Sequence, residues 1–231
     1  MIKGIMFDFS STLFRIETAE QWWGAVAAAA GLTLTAEELA EGARRLTAHG
    51  ALPGGPAPDA IPQELAEAWE KRDLSPAQHR AAYAGLVRAA GAPMADLADA
   101  LYDRHMTPRA WRPYPDAEPT LHELRRRGVP VVVVSNIGWD LRPVFREHRL
   151  DGLVDDYVLS FEFGAQKPDR AIFQAACDRL GLAPGEVLMV GDDRRADGGA
   201  AALGCPLHLV DALPVDQRPA ALGPLLDLLG G

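Results

Sequence analysis

The feature that most constrains this chain is a short apolar run, Ile5-Met6-Phe7, that breaks on a carboxylate. Asp8 ends the run, and the small polar residues Ser10, Ser11 and Thr12 follow closely. A short apolar run bounded by polar residues fits a strand buried on both faces. In open parallel sheets, ligands lie beyond the carboxyl ends of the strands. Asp8 is therefore either placed for chemistry or merely starts a turn, and the rest of the chain decides between the two.

After Thr12 the pattern turns helical. Residues 17–30 open with Glu17, Thr18 and Glu20, carry Trp22 and Trp23 into an alanine tract, and stop at Gly31. Thr35 with Glu37 and Glu38 signals the start of a second helix reaching about residue 48. Residues 52–58 are rich in Pro and Gly and read as loop. Helical patterns resume over 62–72, 76–90 and 93–106, each with a proline at or near its first turn, where a missing N–H is harmless. Residues 16–108 thus predict an all-helical block.

From Arg112 the style changes. Strands are predicted over 129–134, 157–159, 187–190 and 207–210. They alternate with helices over 116–127, 141–147 and 171–180, and with a helical stretch through 200–203. Such alternation predicts an α/β fold, a parallel sheet with helices on both faces. The helical block is then an insertion after the first strand, and it would act as a lid.

Composition limits the function classes. A chain of 231 residues with 48% hydrophobic content suffices for one large domain or two small ones. The net charge of −9, without basic runs, argues against nucleic acid or an anionic membrane as a partner. Cys177 and Cys205 make neither a disulfide framework nor a zinc spacing. Met1 leads straight into the first strand without a signal-peptide pattern, and no apolar run approaches the ~20 residues of a membrane span. The expectation is a cytoplasmic protein, monomer or homodimer, whose partner is a small molecule.

Polar groups end three predicted strands: Asp8, Ser135-Asn136 and Asp192-Asp193. A fourth stretch, Gly164-Ala165-Gln166-Lys167-Pro168, places one of only three lysines beside a proline. A carboxylate nucleophile, a hydroxyl and an amide, an ammonium and a carboxylate cluster suit phosphoryl transfer. Asp8 and the acidic cluster would hold Mg²⁺ through hard oxygen ligands. Lys167, Ser135, Asn136 and Thr12 would bind the phosphorylated substrate, and Asp8 would attack phosphorus to form an aspartyl-phosphate.

These stretches resemble the motifs of the haloacid dehalogenase-like hydrolase superfamily. They occur in order as Asp8-Phe9-Ser10-Ser11-Thr12, Ser135-Asn136, Lys167-Pro168, and Gly191-Asp192-Asp193 through Asp197. Ser160-Phe161-Glu162-Phe163-Gly164 resembles the loop that precedes the family's lysine. The resemblance implies a Rossmann-like catalytic core, residues 1–15 and 112–231, with a helical cap, residues 16–111. It implies Mg²⁺ on Asp8, on the backbone carbonyl of Ser10 and on Asp192, with Asp193 a ligand directly or through water. Asp197 would orient Lys167.

One departure matters. Phosphatases of this family usually carry a second aspartate two residues after the nucleophile, as acid and then base. Here that catalytic position is Ser10. A positioned general acid contributes ~10²–10⁴ in rate, so a substrate with a good leaving group, or a replacement group, is needed. His49, His79 and His105 in the helical block are candidates for replacement. Haloacid dehalogenases also lack that second aspartate and need no metal, but they lack the acidic fourth motif present here. Phosphonatases use a cap lysine; Lys71 is the only lysine in the block. A binding protein that has lost turnover is the remaining alternative. Trp22 and Trp23 read as packing residues before substrate contacts, and Arg44-Arg45 as a solvated helix face.

Overall fold

The computed structural model describes residues 1–229. The elements run β1 (Gly4–Phe7), β2 (Phe14–Ile16), α1 (Ala19–Ala29), α2 (Ala36–Ala48), α3 (Ala66–Glu70), α4 (Pro76–Ala89), α5 (Ala98–His105) and β3 (Trp111–Pro113). They continue through α6 (Ala117–Arg126), β4 (Val131–Ser135), α7 (Arg142–Glu147), β5 (Asp156–Leu159), α8 (Ser160–Phe163), α9 (Arg170–Leu180), β6 (Val187–Gly191) and β7 (Leu207–Leu209). The chain divides into two compact units, residues 1–15 with 112–231, and residues 16–111.

The first unit is α/β. Its five strands lie in the order β5-β4-β1-β6-β7, and every pairing is parallel. β1, β4 and β6 are buried along their whole length. Burial on both faces selects apolar side chains at every position rather than at alternate ones, which explains Val131 through Val134 and Val187 through Val190. On one face Met6, Val132, Val134, Val158 and Met189 pack against Ile172, Phe173, Ala176 and Cys177 of α9. Each of the larger apolar side chains among these contributes ~1.5–3 kcal/mol by leaving water. Register then sets the site: Phe7 lies beside Val133 of β4 and Val190 of β6, so the carboxyl ends of the three strands are neighbours.

The second unit is helical. Thr18 and Thr35 each accept from the backbone N–H three residues on, and Gln21 and Glu38 reach back to the threonine N–H, completing capping boxes on α1 and α2. Trp22 and Trp23 are buried, and Trp22 Nε1 donates to the Leu101 carbonyl at 2.9 Å, so both tryptophans pack. Gly42 makes room for Trp23: a Cβ there would lie 2.5 Å from its Nε1.

Three sequence expectations differ from the structure. The segment 62–72 is not one helix but the short α3 between 3₁₀ turns at Gln63–Leu65 and Arg72–Leu74. The stretch behind β6 is a 3₁₀ run, Asp197–Leu203, because Gly198 and Gly199 weaken a regular helix. The ribbon of β2 with β3, where the chain leaves and re-enters the α/β unit, was not expected. Both strands are three residues long, too short to show a periodicity.

Candidate active site

Asp8 is the first residue beyond β1, and its N–H donates to the Val190 carbonyl at 2.8 Å, which ties the nucleophile turn to β6. Asp8 as a residue is 7% exposed. Lys167, equally buried, donates from Nζ to Asp8 Oδ1 at 2.7 Å and to Asp197 Oδ1 at 2.6 Å. Asp197 is fully buried, and its Oδ2 accepts from the Asp193 N–H at 2.9 Å. Room for that carboxylate comes from Gly191, where a Cβ would sit 2.1 Å from Asp197 Oδ2.

Asp8, Asp192 and Asp197 each bring one carboxylate oxygen within 4.8 Å of the others. With all three carboxylates ionised, the one ammonium would leave two negative charges uncompensated. Burial, then the charges of Asp197 and Asp192, push the Asp8 carboxyl up to about 8, although Lys167 pulls the other way. Burial and Asp197 push Asp192 up to about 6. Lys167 shows the mirror image: burial disfavours its charge, but Asp197 and Asp8 more than offset this and hold its pKa above the ordinary lysine range. Crowded, buried, hard oxygen donors with excess negative charge fit a small divalent cation. Asp197 has both oxygens engaged by Lys167 and by the Asp193 N–H, which leaves Asp8 and Asp192 as the open donors.

The remaining site residues fall around this cluster. Ser135 is buried at the end of β4. The Asn136 carboxamide is engaged with the Lys167 backbone: Nδ2 donates to the Lys167 carbonyl at 2.9 Å and Oδ1 accepts its N–H at 2.6 Å. Asn136 therefore fixes the lysine's main chain. Thr12 is fully buried, and its hydroxyl has no partner among the described residues. Ser10 is half-buried and pairs through its backbone with Phe14. Asp193 is exposed, and its Oδ1 accepts from the Arg195 and Ala196 N–H groups, capping the turn into Asp197.

The other candidates belong to the helical unit, and each has partners of its own there. His79 and His105 lie inside the helical unit, stacked with ring centroids 5.4 Å apart and flanked by Tyr83 and Tyr102. Burial holds His105 down to about 3 and His79 well below its ordinary value, so both are neutral packing groups. His49 Nδ1 faces the Arg45 carbonyl. Arg44 pairs with Glu41, and Arg45 donates to the Ala90 and Ala92 carbonyls. Lys71 pairs with Glu67 at 2.9 Å on an exposed helix face. Sequence reading placed Ser160 in the loop before the lysine but missed its contact: the hydroxyl accepts the Ile137 N–H at 2.8 Å and seats the loop after β4. It also missed Arg15 and Arg218, which bind the nucleophile turn. The contacts of Ser160 and Arg218 span 23 and 207 residues, so no local pattern announces them.

A parallel sheet with a buried carboxylate–ammonium cluster at its carboxyl edge defines an α/β fold with one candidate site. The chain belongs to the haloacid dehalogenase-like hydrolases, whose family model matches residues 2–204. It is 31% identical over 198 residues to a glyceraldehyde 3-phosphate phosphatase of Methanopyrus kandleri, covering 83% of this chain and 76% of that protein. It is 39% identical over 93 residues to (S)-2-haloacid dehalogenase 4A of Burkholderia cepacia, covering 39% of this chain and 40% of that one. The chain thus spans less than half the length of the Burkholderia relative. A phosphatase of this family from Thermococcus onnurineus shares the fold, with a TM-score of 0.61 and 23% identity over 100% of this chain and 99% of its own. Among the described residues, no helix is long and apolar enough to cross a membrane.

Proposed function

We propose that the protein is a Mg²⁺-dependent phosphatase of a small phosphorylated metabolite, acting through an aspartyl-phosphate on Asp8. The observation that carries this reading is the uncompensated carboxylate cluster of Asp8, Asp192 and Asp197 around Lys167. A dehalogenase attacks carbon, expels halide without a metal, and has no use for Asp192. A phosphatase must bring an anionic nucleophile to an anionic substrate, and a bound Mg²⁺ would mask that repulsion and polarise the phosphoryl oxygens. Asp8 and Asp192 would hold it.

The chain's own residues do the rest. Asp8, held ionised in the loaded site, attacks phosphorus while the bond to the leaving oxygen breaks. Lys167 neutralises charge on the phosphoryl oxygens from a position fixed by Asp197 and by Asn136. The Ser135 and Thr12 hydroxyls are donors for the same oxygens. Water then cleaves the acyl phosphate and regenerates the Asp8 carboxylate. Ser10 offers no proton near neutral pH, so the leaving group departs as an anion. Aryl or acyl phosphates are favoured over alkyl phosphates by the missing acid catalysis, ~10²–10⁴. By family resemblance the helical insertion selects the organic part.

A second reading, 2-haloacid dehalogenation, is favoured by Ser10 and by the Burkholderia relative. One assay separates the two. para-Nitrophenyl phosphate and an alkyl phosphate are compared with and without Mg²⁺, beside Asp8→Asn and beside a 2-haloacid in EDTA. Metal-dependent aryl phosphate hydrolysis, abolished in Asp8→Asn and much slower on the alkyl ester, is the expected result. Turnover of the haloacid in EDTA with no phosphatase activity would replace this reading with the second.

A further inference from the structure

The turn that carries Asp8 has no glycine, yet Ser11 within it sits at φ +62°. A non-glycine residue there costs about 1–2 kcal/mol and persists only when its surroundings impose it. Those surroundings come from the far end of the chain. Arg218 is buried, and its Nη1 donates to the Ser11 carbonyl at 3.1 Å and to the Thr12 carbonyl at 2.9 Å. Its Nη2 donates to Asp116 Oδ1 at 3.0 Å, and its guanidinium carbon lies 3.2 Å from the centroid of the Tyr114 ring. Asp116 Oδ2 in turn accepts the N–H groups of Ala221 and Leu222 at 2.6 and 2.8 Å, and the Tyr114 hydroxyl donates to the Leu213 carbonyl at 2.6 Å. Arg15 adds a bond to the Ser11 hydroxyl.

We propose that Arg218 is a positioning residue: it clamps the Ser11 and Thr12 carbonyls so that the turn presents the Asp8 carboxylate and the Ser10 carbonyl in one fixed geometry. A buried guanidinium is tolerated only when paired. Asp116 supplies the charge partner at Nη2 while Nη1 reaches both carbonyls, and a lysine ammonium cannot reproduce that planar, two-sided geometry. Fixing the Ser11 backbone fixes the peptide plane that holds the Ser10 carbonyl. Arg218 lies beyond residue 204, where the family match ends. The inference rests on Asp8 being the nucleophile, whichever substrate it attacks.

The test compares wild type with Arg218→Lys, and with Arg218→Ala where that variant folds. Hydrogen–deuterium exchange is followed by mass spectrometry for residues 8–14 and, as an internal control, for β4. The clamp predicts exchange in 8–14 faster by about tenfold or more with β4 unchanged, because only local opening is altered. It also predicts a kcat lower by ~10–10²-fold with KM within about threefold, since misplacement by about 1 Å costs that much. Millimolar guanidinium should restore part of the rate to Arg218→Ala. Unchanged exchange in 8–14, or a rise shared equally by β4, would overturn the proposal. The wild-type rates on aryl phosphate and on a 2-haloacid report separately on the proposed function, and the kcat ratio is read on whichever is turned over.

Discussion

Gly191 sits against the Asp197 carboxylate, and the room it leaves decides whether Lys167 can be held. A Cβ at 191 would lie 2.1 Å from Asp197 Oδ2 and 2.3 Å from its Cγ. Asp197 cannot swing aside freely, because one oxygen holds Lys167 and the other takes the Asp193 N–H. Gly191→Ala should therefore push Asp197 off Lys167 and destabilise the protein by ~1–3 kcal/mol, the usual range for overpacking. The rate should fall further than stability, because Lys167 loses one of its two carboxylates. Calorimetry and kcat on the same preparation check this. An alanine variant with wild-type melting and rate would mean that Asp197 has slack the structure does not show. At this scale Asn136 is instructive too. A strand-end Asn beside a site reads as a substrate ligand, and the structure adds that its carboxamide holds the lysine's main chain. Only the three-dimensional pairing of two loops reveals that second role.

Elements carry the next set of effects. α4 and α5 bury His79 and His105 against each other and against Tyr83 and Tyr102. Both are held neutral in the fold, His105 down to about 3. In the unfolded chain a histidine titrates near ~6.5. A depressed pKa of this kind means the helices' stability is fully present above ~6.5 and is lost as pH falls toward the folded values. The two histidines should therefore contribute a loss of stability between pH 7.5 and pH 5, opposite in sign to the contribution of the site carboxylates, and His105→Phe, which keeps a buried ring, should shift the pH slope of melting by the part it removes. Equal slopes for the two proteins would place the acid sensitivity elsewhere. The strands were legible because burial on both faces writes unbroken apolar runs, as at Val131–Ser135 and Val187–Gly191. The helices of the insertion were legible where caps wrote themselves, as at Thr35 with Glu38. The ribbon of β2 and β3 was not, since its pairing spans about a hundred residues of chain and leaves no local pattern. The segment around α3 misled because Pro62, which suits a first turn, says nothing about where a helix breaks.

At the scale of the whole molecule, charge at the site and stability of the fold are linked. Without a metal, the buried Asp8 carboxyl is held near 8 and Asp192 near 6, both above their ordinary range. A raised carboxyl pKa contributes stability that is present below the unfolded value, ~3.9, and is lost as pH rises through the folded one. The metal-free protein should therefore lose stability between about pH 4 and pH 8 on account of these two groups. A cation that binds the ionised cluster competes with those protons, so its affinity rises over the same window. Bound to the native state alone, it stabilises by RT ln(1 + [L]/Kd), about 2.7 kcal/mol at a hundredfold excess over Kd. Millimolar Mg²⁺ should accordingly raise the melting temperature at pH 8 far more than at pH 5.5. Asp192→Asn should abolish the shift while raising the melting temperature of the metal-free protein at pH 8, because it removes one of the mutually repelling carboxylates. This readout needs no substrate and no turnover. A Mg²⁺ shift that is the same at both pH values, or that survives in Asp192→Asn, would move the cation away from this cluster and remove the main support for a metal-dependent phosphatase.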